Sequence, residues 1–345
     1  MSATRPGEPE GGALRSVEEV LLGGGRVWTR REVAERAGVE LEHAVHVWRA
    51  LGFPAVDEDA RVFTDADVEA LRAGERLVAA GLITEESETM MARALGHHLS
   101  RLADWQVHTL RDWVGGDGEL SPGQGTLLDH MAALLPEIEM VQRYVWRRHL
   151  VAHAGHVLAE GPEDGSAPGA TGAPGGGAHV RDRAVGFTDM VGYTRMSRGL
   201  DGAELVRVLD RFESMTGDVV AEGLGQVVKT IGDEVLFVCE SAAEAADIAL
   251  ELTARAGADP GLPQVRTGLA HGAVIGRFGD VYGSAVNIAA RLTAVARPAS
   301  VLVNTAFAGE LAGMAGYALR PLRPVSVRGY SRLRPVLLRA ARSAS

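Results

Sequence analysis

The chain is expected to be an α+β protein in two parts: an all-helical N-terminal half, and a C-terminal half in which strands and helices alternate. Three observations carry this. Residues 161–177, GPEDGSAPGATGAPGGG, hold no aromatic or large aliphatic side chain, cannot bury a core, and read as a flexible linker. Before the linker, apolar residues recur at helical spacing. After it, short apolar runs alternate with amphipathic stretches in the order β-α-β-β-α-β. The expected division is therefore 1–160 helical, 161–177 linker and 178–345 mixed.

In the first half, 30–50 and 65–81 carry helix-period patterns. Thr29 and Thr64 stand as N-caps, with acidic residues in the turn that follows. Residues 85–114 and 126–160 continue as amphipathic helices, broken at Gly115–Pro122. In the second half, Ala184–Phe187 reads as a short strand. Ala203–Val220 places apolar residues at 205, 208, 209, 212, 215 and 219, the spacing of a helix with one buried face. Gln226–Thr230 and Glu234–Cys239 read as a strand pair joined at Ile231–Asp233. Ala242–Arg255 is a helix, Val265–His271 a strand, Ser284–Ala296 a helix and Val301–Asn304 a strand. This order describes a ferredoxin-like core with extensions.

The totals exclude several classes of function. The chain has 345 residues, 46% of them hydrophobic, enough for about two buried cores. No apolar run approaches the ~18 residues that span a bilayer, and the first residues carry no apolar signal core. The single cysteine, Cys239, cannot form an internal disulfide, as expected of a cytoplasmic protein. A net charge of −10 argues against nonspecific nucleic-acid binding, which depends on neutralising phosphates, but leaves room for a local phosphate pocket.

Arginine fills almost every basic position. Of 35 Lys and Arg residues only Lys229 is a lysine, in Val-Val-Lys-Thr-Ile-Gly-Asp-Glu-Val (227–235). A compact ammonium fits a tight site where the planar guanidinium fork does not. Two carboxylates end strands nearby in the pattern: Asp189 in Gly-Phe-Thr-Asp-Met-Val-Gly-Tyr-Thr (186–194), and Asp233 in Ile-Gly-Asp-Glu (231–234). Mg²⁺ is commonly held by one or two carboxylates together with substrate phosphates, so a pair of strand-end aspartates is a suitable ligand set. Either aspartate alone would read as an ordinary turn residue.

Four blocks together, Phe187-x-Asp189-Met-x-Gly192-Tyr-Thr, Lys229-x-x-Gly-Asp233-Glu, Arg266-x-Gly-x-x-x-Gly272 and Asp280-x-Tyr-Gly283-x-x-Val-Asn287-x-x-x-Arg291, resemble the class III nucleotidyl cyclase catalytic domain over about 180–340. A diguanylate cyclase of the GGDEF type fits less well, because Ile231 stands where its first Gly would be. The resemblance implies that Asp189 and Asp233 hold two Mg²⁺ or Mn²⁺ ions, with the backbone carbonyl of Met190 assisting. It implies that Lys229 and Asp280 read adenine, whose ring nitrogen accepts and whose exocyclic amine donates. Guanine presents the opposite pattern, and a buried unmatched pair would reject it. Asn287 would position the ribose and Arg291 would stabilise charge on the α-phosphate. Arg266 and Arg328 would contact the triphosphate. ATP is the implied substrate. Since this chain holds both the metal set and the base-reading set, a homodimer with active sites shared between protomers is also implied.

In the first half, the stretch 29–83 resembles the start of a MerR-type helix-turn-helix domain. It has the "EVA..AGV" turn (32–39), then Phe63, Thr64 and Asp67 at the entry to a further helix. Its would-be recognition helix, Glu40–Leu51, offers Glu40 and Glu42 against only Arg49, which makes DNA an unlikely partner and protein contact the better reading. Ten of the eleven histidines precede residue 180. His149, His153 and His156 form one helical stripe; His97, His98, Arg101, Trp105 and His108 form another. Histidine changes charge near neutral pH. A helical half joined to such a catalytic domain resembles the autoinhibited, pH-responsive cyclases of actinobacteria. The alternatives are a non-catalytic nucleotide-sensing or DNA-binding signalling protein, and a guanylate cyclase, which Lys229 and Asp280 oppose.

Overall fold

The computed structural model describes residues 19–115, 124–159 and 179–341, with side chains at 110–131 and 156–179 left out of the description. The linker at 161–177, the helix break expected after Gly115 and the side chain of His156 lie outside the described residues. The chain divides into two compact units, Met1–Gly177 and Ala178–Ser345.

The first unit is built from helices with their ends written in the sequence. Helix α1 (Arg30–Ala37) begins at a capping box: the Glu32 N–H donates to the Thr29 hydroxyl and the Thr29 N–H to the Glu32 carboxylate. It ends at Gly38, so the 30–50 pattern splits into α1 and α2 (Leu41–Ala50). At the start of α3 (Asp65–Ala79) the Thr64 N–H and hydroxyl both donate to Asp67, at 2.7 and 2.9 Å. The buried faces of α1, α2 and α3 close over Val33, Ala44, Val47, Val68 and Leu71. Trp48 is stacked on Phe63 there, with ring centroids 4.5 Å apart. Two long helices follow, α4 (Glu85–Gly115) and α5 (Gln124–Ala159).

The second unit is a mixed sheet covered on both faces. Its elements are β1 (His179–Met190), α6 (Tyr193–Met196), α7 (Gly202–Glu222), β2 (Gln226–Ile231), β3 (Glu234–Cys239), α8 (Ala242–Ala258), β4 (Val265–Arg277) and β5 (Asp280–Tyr282). Then come α9 (Ser284–Val295), β6 (Ser300–Val303), α10 (Thr305–Glu310), β7 (Tyr317–Pro321), β8 (Val325–Val327), β9 (Tyr330–Leu333) and β10 (Val336–Ala340). The strand order is β2-β3-β1-β4-β6-β10-β7, with β5 also on β4, and β8-β9 form a separate hairpin. The first four strands pair antiparallel, while β4 and β6 run parallel.

Alternation along the strands divides the core. Ala184, Phe237 and Leu269 face α7 and α8, with Val219, Ile248 and Leu252. Val185, Phe187, Leu236 and Ala270 face α9, against Ala285 and Ala289. Covered on both sides, the sheet's interior explains why β3, EVLFVC, is a continuous apolar run rather than an alternating one. Two strands are longer than the sequence suggested: β1 starts five residues before Ala184, and β4 runs six beyond His271. Their extra lengths, HVRDR and GAVIGR, pair with each other from His179↔Gly276 to Arg183↔Gly272. Charged residues on an outlying ribbon give no buried-strand pattern, so only the pairing reveals them. Among the described residues no helix is long and apolar enough to cross a membrane.

Candidate active site

Asp189 sits near the end of β1 in the row that includes Val185 and Phe187, facing the side of the sheet that carries α9. Its neighbours across the ladder are Glu234 on β3 and Arg266 on β4. Arg266 donates to the Asp189 carboxylate from Nε at 2.7 Å and from Nη2 at 2.5 Å. The floor beneath is rigid: the Thr188 and Thr267 hydroxyls meet at 2.9 Å, both fully buried. The next residue, Met190, sends its side chain into the core beside Phe212, leaving its main chain at the site. Its N–H donates to the Asp233 carbonyl at 3.0 Å, which ties the β2–β3 turn to the end of β1.

That tie brings two carboxylates together. Burial, and then the negative charge of Asp189, push the Asp233 carboxyl above its ordinary range. Glu234 is pushed up to about 7 by burial first and by Asp189 and Asp233 next. Against three crowded acids, Arg266 is the charge that lowers both shifted groups. Such a cluster favours cations. Among the described residues no group of three or more His, Cys, Asp or Glu side chains forms a metal cage. A pair of carboxylates with a guanidinium against one of them suits an ion that completes its shell with phosphate oxygens.

A second cluster lies on β2 and β5. The Lys229 ammonium donates to Asp280 at 2.5 Å, and the other Asp280 oxygen accepts the Val281 N–H at 2.8 Å. Burial acts to raise the Asp280 carboxyl, but these bonds and one from Tyr282 outweigh it and hold the group below its usual range. A flat sheet could not make this contact. Lys229 registers through Leu236 and Phe187 with Gly268, while Asp280 registers with Arg277, nine residues further along β4. At ~3.3 Å per residue that is about 30 Å. The β4–β5 ribbon therefore curls back until its tip meets β2.

The remaining expected residues stand apart. Asn287 and Arg291 share a face of α9 opposite Ala285, Ala289 and Leu292, which are buried. Arg328 is exposed in the β8–β9 turn. None of the three is joined by a hydrogen bond or ion pair to either acidic cluster. The sequence reading did not single out Glu234, although it lies next to Asp233 in the motif. It also missed a contact in the first unit, where His43 of α2 meets the buried Glu88 of α4 at 2.8 Å. Of the expected histidine stripes, His149 and His153 have ring centroids 6.4 Å apart, His97 and His98 5.2 Å.

The fold and the paired clusters define a nucleotidyl cyclase: residues 179–340 match the family model "Adenylate and Guanylate cyclase catalytic domain". Residues 11–143 match a second model, "Adenylate cyclase regulatory domain". An adenylate cyclase of Glutamicibacter nicotianae is 38% identical over 96% of this chain and 83% of its own length. One of Streptomyces coelicolor is 40% identical over 87% of this chain and 75% of its own. A protein of Mycobacterium tuberculosis named as a pH-sensitive adenylate cyclase is 31% identical, over 91% and 79% respectively. The chain belongs to the adenylate cyclase family.

Proposed function

We propose that this adenylate cyclase converts ATP to 3′,5′-cyclic AMP and pyrophosphate, the 3′-hydroxyl oxygen attacking the α-phosphorus in line as the pyrophosphate leaves. The observation that carries the choice of nucleotide is the Lys229–Asp280 pair. It offers one donor and one acceptor, side by side, to a purine edge. Adenine's ring nitrogen accepts a hydrogen bond from the ammonium and its amine donates one to the carboxylate; guanine would leave both partners unmatched. Asp189, Asp233 and the Met190 carbonyl would hold two Mg²⁺ or Mn²⁺ ions, whose chemistry is to acidify the 3′-hydroxyl and take up phosphate charge. Arg266, released from Asp189, and Arg328 would meet the triphosphate. Asn287 would orient the ribose and Arg291 would meet the charge that grows on the α-phosphate. The direct assay is cyclic nucleotide formed from ATP or GTP with Mn²⁺; product from GTP at an equal rate would overturn the assignment.

Two protomers would share each site, the metal carboxylates with Arg266 from one and Lys229, Asp280, Asn287 and Arg291 from the other. Supporting this, within a chain no hydrogen bond or ion pair joins Lys229 or Asp280 to Asp189, Asp233 or Glu234. Asn287 and Arg291 also lie on a solvent-facing side of α9. Asp189→Ala and Lys229→Ala chains, each inactive, should regain activity when mixed. Absence of recovery in demonstrated heterodimers would refute sharing.

The helical unit would regulate the catalytic unit in response to pH, from a cytoplasmic location. Support comes from the matched regulatory domain, the named pH sensitivity of one relative, and the contact of His43 with the buried Glu88. The helix-turn-helix likeness of α1 and α2 would serve protein contact rather than DNA, since the exposed side of α2 presents Glu42, His46 and Arg49. The second unit closes its own cores, so residues 178–345 can be assayed alone. They should be more active than the whole chain at neutral pH, and equal specific activity at every pH would refute autoinhibition.

A further inference from the structure

The curl of the β4–β5 ribbon has a mechanical origin. One edge of β4 is paired twice, first with β6 at Arg266–Leu269 and then with β5 at Ile275–Arg277. Between these ladders the strand changes partner, and the changeover is held by a side chain. Asn304 follows directly on β6 and its backbone N–H still bonds the Leu269 carbonyl at 3.1 Å. Its side-chain amide then takes over the ladder: Oδ1 accepts the His271 N–H at 3.2 Å and Nδ2 donates to the His271 carbonyl at 3.2 Å. A carboxamide offers one acceptor and one donor, as a backbone residue does, so Asn304 acts as a one-residue strand.

Immediately after this clamp the strand reaches a glycine. Gly272 adopts φ +153°, and across the ribbon Gly283 adopts φ +139°, with its missing Cβ leaving room for the Ala273 carbonyl at 2.7 Å. His271 is thus the last residue held along this edge of β4 before β5 takes the edge over at Ile275. Asp280 is at the ribbon's tip. Asn304 is 9% exposed, and it also caps α10 by accepting the Phe307 N–H at 2.8 Å. The cap needs only Oδ1, and a serine hydroxyl would serve it. The bond from Nδ2 to His271 has no part in the cap.

We propose that Asn304 is a positioning residue for nucleotide selection: its amide fixes His271 as the pivot of the β4–β5 ribbon, and so sets where Asp280 stands against Lys229 and the purine. This rests on the reading of Asp280 as a base-reading residue. Asn304 touches no nucleotide, and its effect passes through Asp280.

The test compares full-length wild type with Asn304→Ser, Asn304→Asp, Asp280→Ala and Asn304→Ser/Asp280→Ala, reading kcat/KM for ATP and for GTP and the calorimetric midpoint. Ser keeps the cap but cannot span both His271 groups. Asp keeps the accepted bonds and replaces the donated one by an oxygen facing the His271 carbonyl. Both single variants at Asn304 should lower the ATP-over-GTP ratio about tenfold, the scale of a small misplacement of a recognition group. In the Asp280→Ala background the serine change should move the ratio by less than about twofold, because the two residues act in series. If Asp280→Ala itself leaves the ratio unchanged, the base-reading role fails and the proposal falls with it. If Asp280→Ala collapses the ratio while both Asn304 variants keep it, the base-reading role stands and the proposal is overturned. An undiminished effect of Asn304→Ser in the double variant would also overturn it, since the action would then not pass through Asp280.

Discussion

Gly268→Ala tests whether the seating of α9 on the sheet governs catalysis. A Cβ built at Gly268 would lie 2.6 Å from the Thr293 hydroxyl, and closer still to the Thr293 nitrogen and Ala289 carbonyl of α9. Carbon contacts settle at ~3.5–4.0 Å, so helix and strand must part by about 1 Å. Overfilling a packed contact costs about 1–3 kcal/mol. At roughly 2–4 °C per kcal/mol for a unit of this size, the midpoint of the catalytic unit should fall by about 2–12 °C. Asn287 and Arg291 travel with the helix, and a shift of about 1 Å at such groups is worth up to ~10²-fold in kcat/KM. All five tryptophans precede residue 161, so tryptophan fluorescence would follow the first unit only; the melt must be read by calorimetry. The activity should drop in the fraction that remains folded well below the midpoint. Wild-type midpoint and wild-type kcat/KM in Gly268→Ala would refute the claim that α9 is seated by this contact.

Other perturbations separate shape, hydrogen bonding and charge. Lys229→Arg keeps the cation but replaces a point donor by a broad fork beside Asp280, and kcat/KM for ATP should fall at least about tenfold; normal turnover would remove the base-reading role. Thr293→Val deletes a buried hydroxyl that donates to the Phe187 and Ala289 carbonyls, and should cost the catalytic unit about 1–3 kcal/mol in a denaturant titration. The Tyr317 hydroxyl is pushed up to about 12, by burial and then by its 2.8 Å bond to Asp247. A raised folded value binds the proton more tightly than the unfolded chain does. That contribution is therefore complete below pH ~10 and lost as pH climbs towards 12. Tyr317→Phe should flatten that part of the stability-against-pH curve, and an unchanged slope would discount the bond.

Much of the site could be read before the fold was known, because its carboxylates and its lysine sit in short, contiguous motifs at strand ends. Thr29 and Thr64 were equally legible, since a capping box is a local pattern. What escaped was written in long-range pairing. The polar run His179–Arg183 looks like a loop until its partner 272–276 is found. Gly272 looks like the end of a strand and instead lies inside one, paired with Arg183. The grip of Arg266 on Asp189 joins residues 77 positions apart, and no sequence period reports it. Asn304 was expected to end a strand and instead caps α10; its second duty depends on the strand that ends a residue before it. Glu234 was in view but unremarked, because its crowding comes first from burial and from Asp189 on β1, which lie outside the local motif, and only then from Asp233.

The Lys229–Asp280 contact also gives the molecule a chemical address. Lys229 carries the one primary amine among the side chains of the sequence, so an amine-directed acylating reagent has a single side chain to find. Its side chain is 37% exposed yet engaged by a carboxylate, so labelling should be slow while the ribbon is closed and faster whenever it opens. Mass-resolved acylation at this one position would therefore time the opening of the ribbon directly. A purine seated against the ammonium would leave a footprint there without any engineered probe.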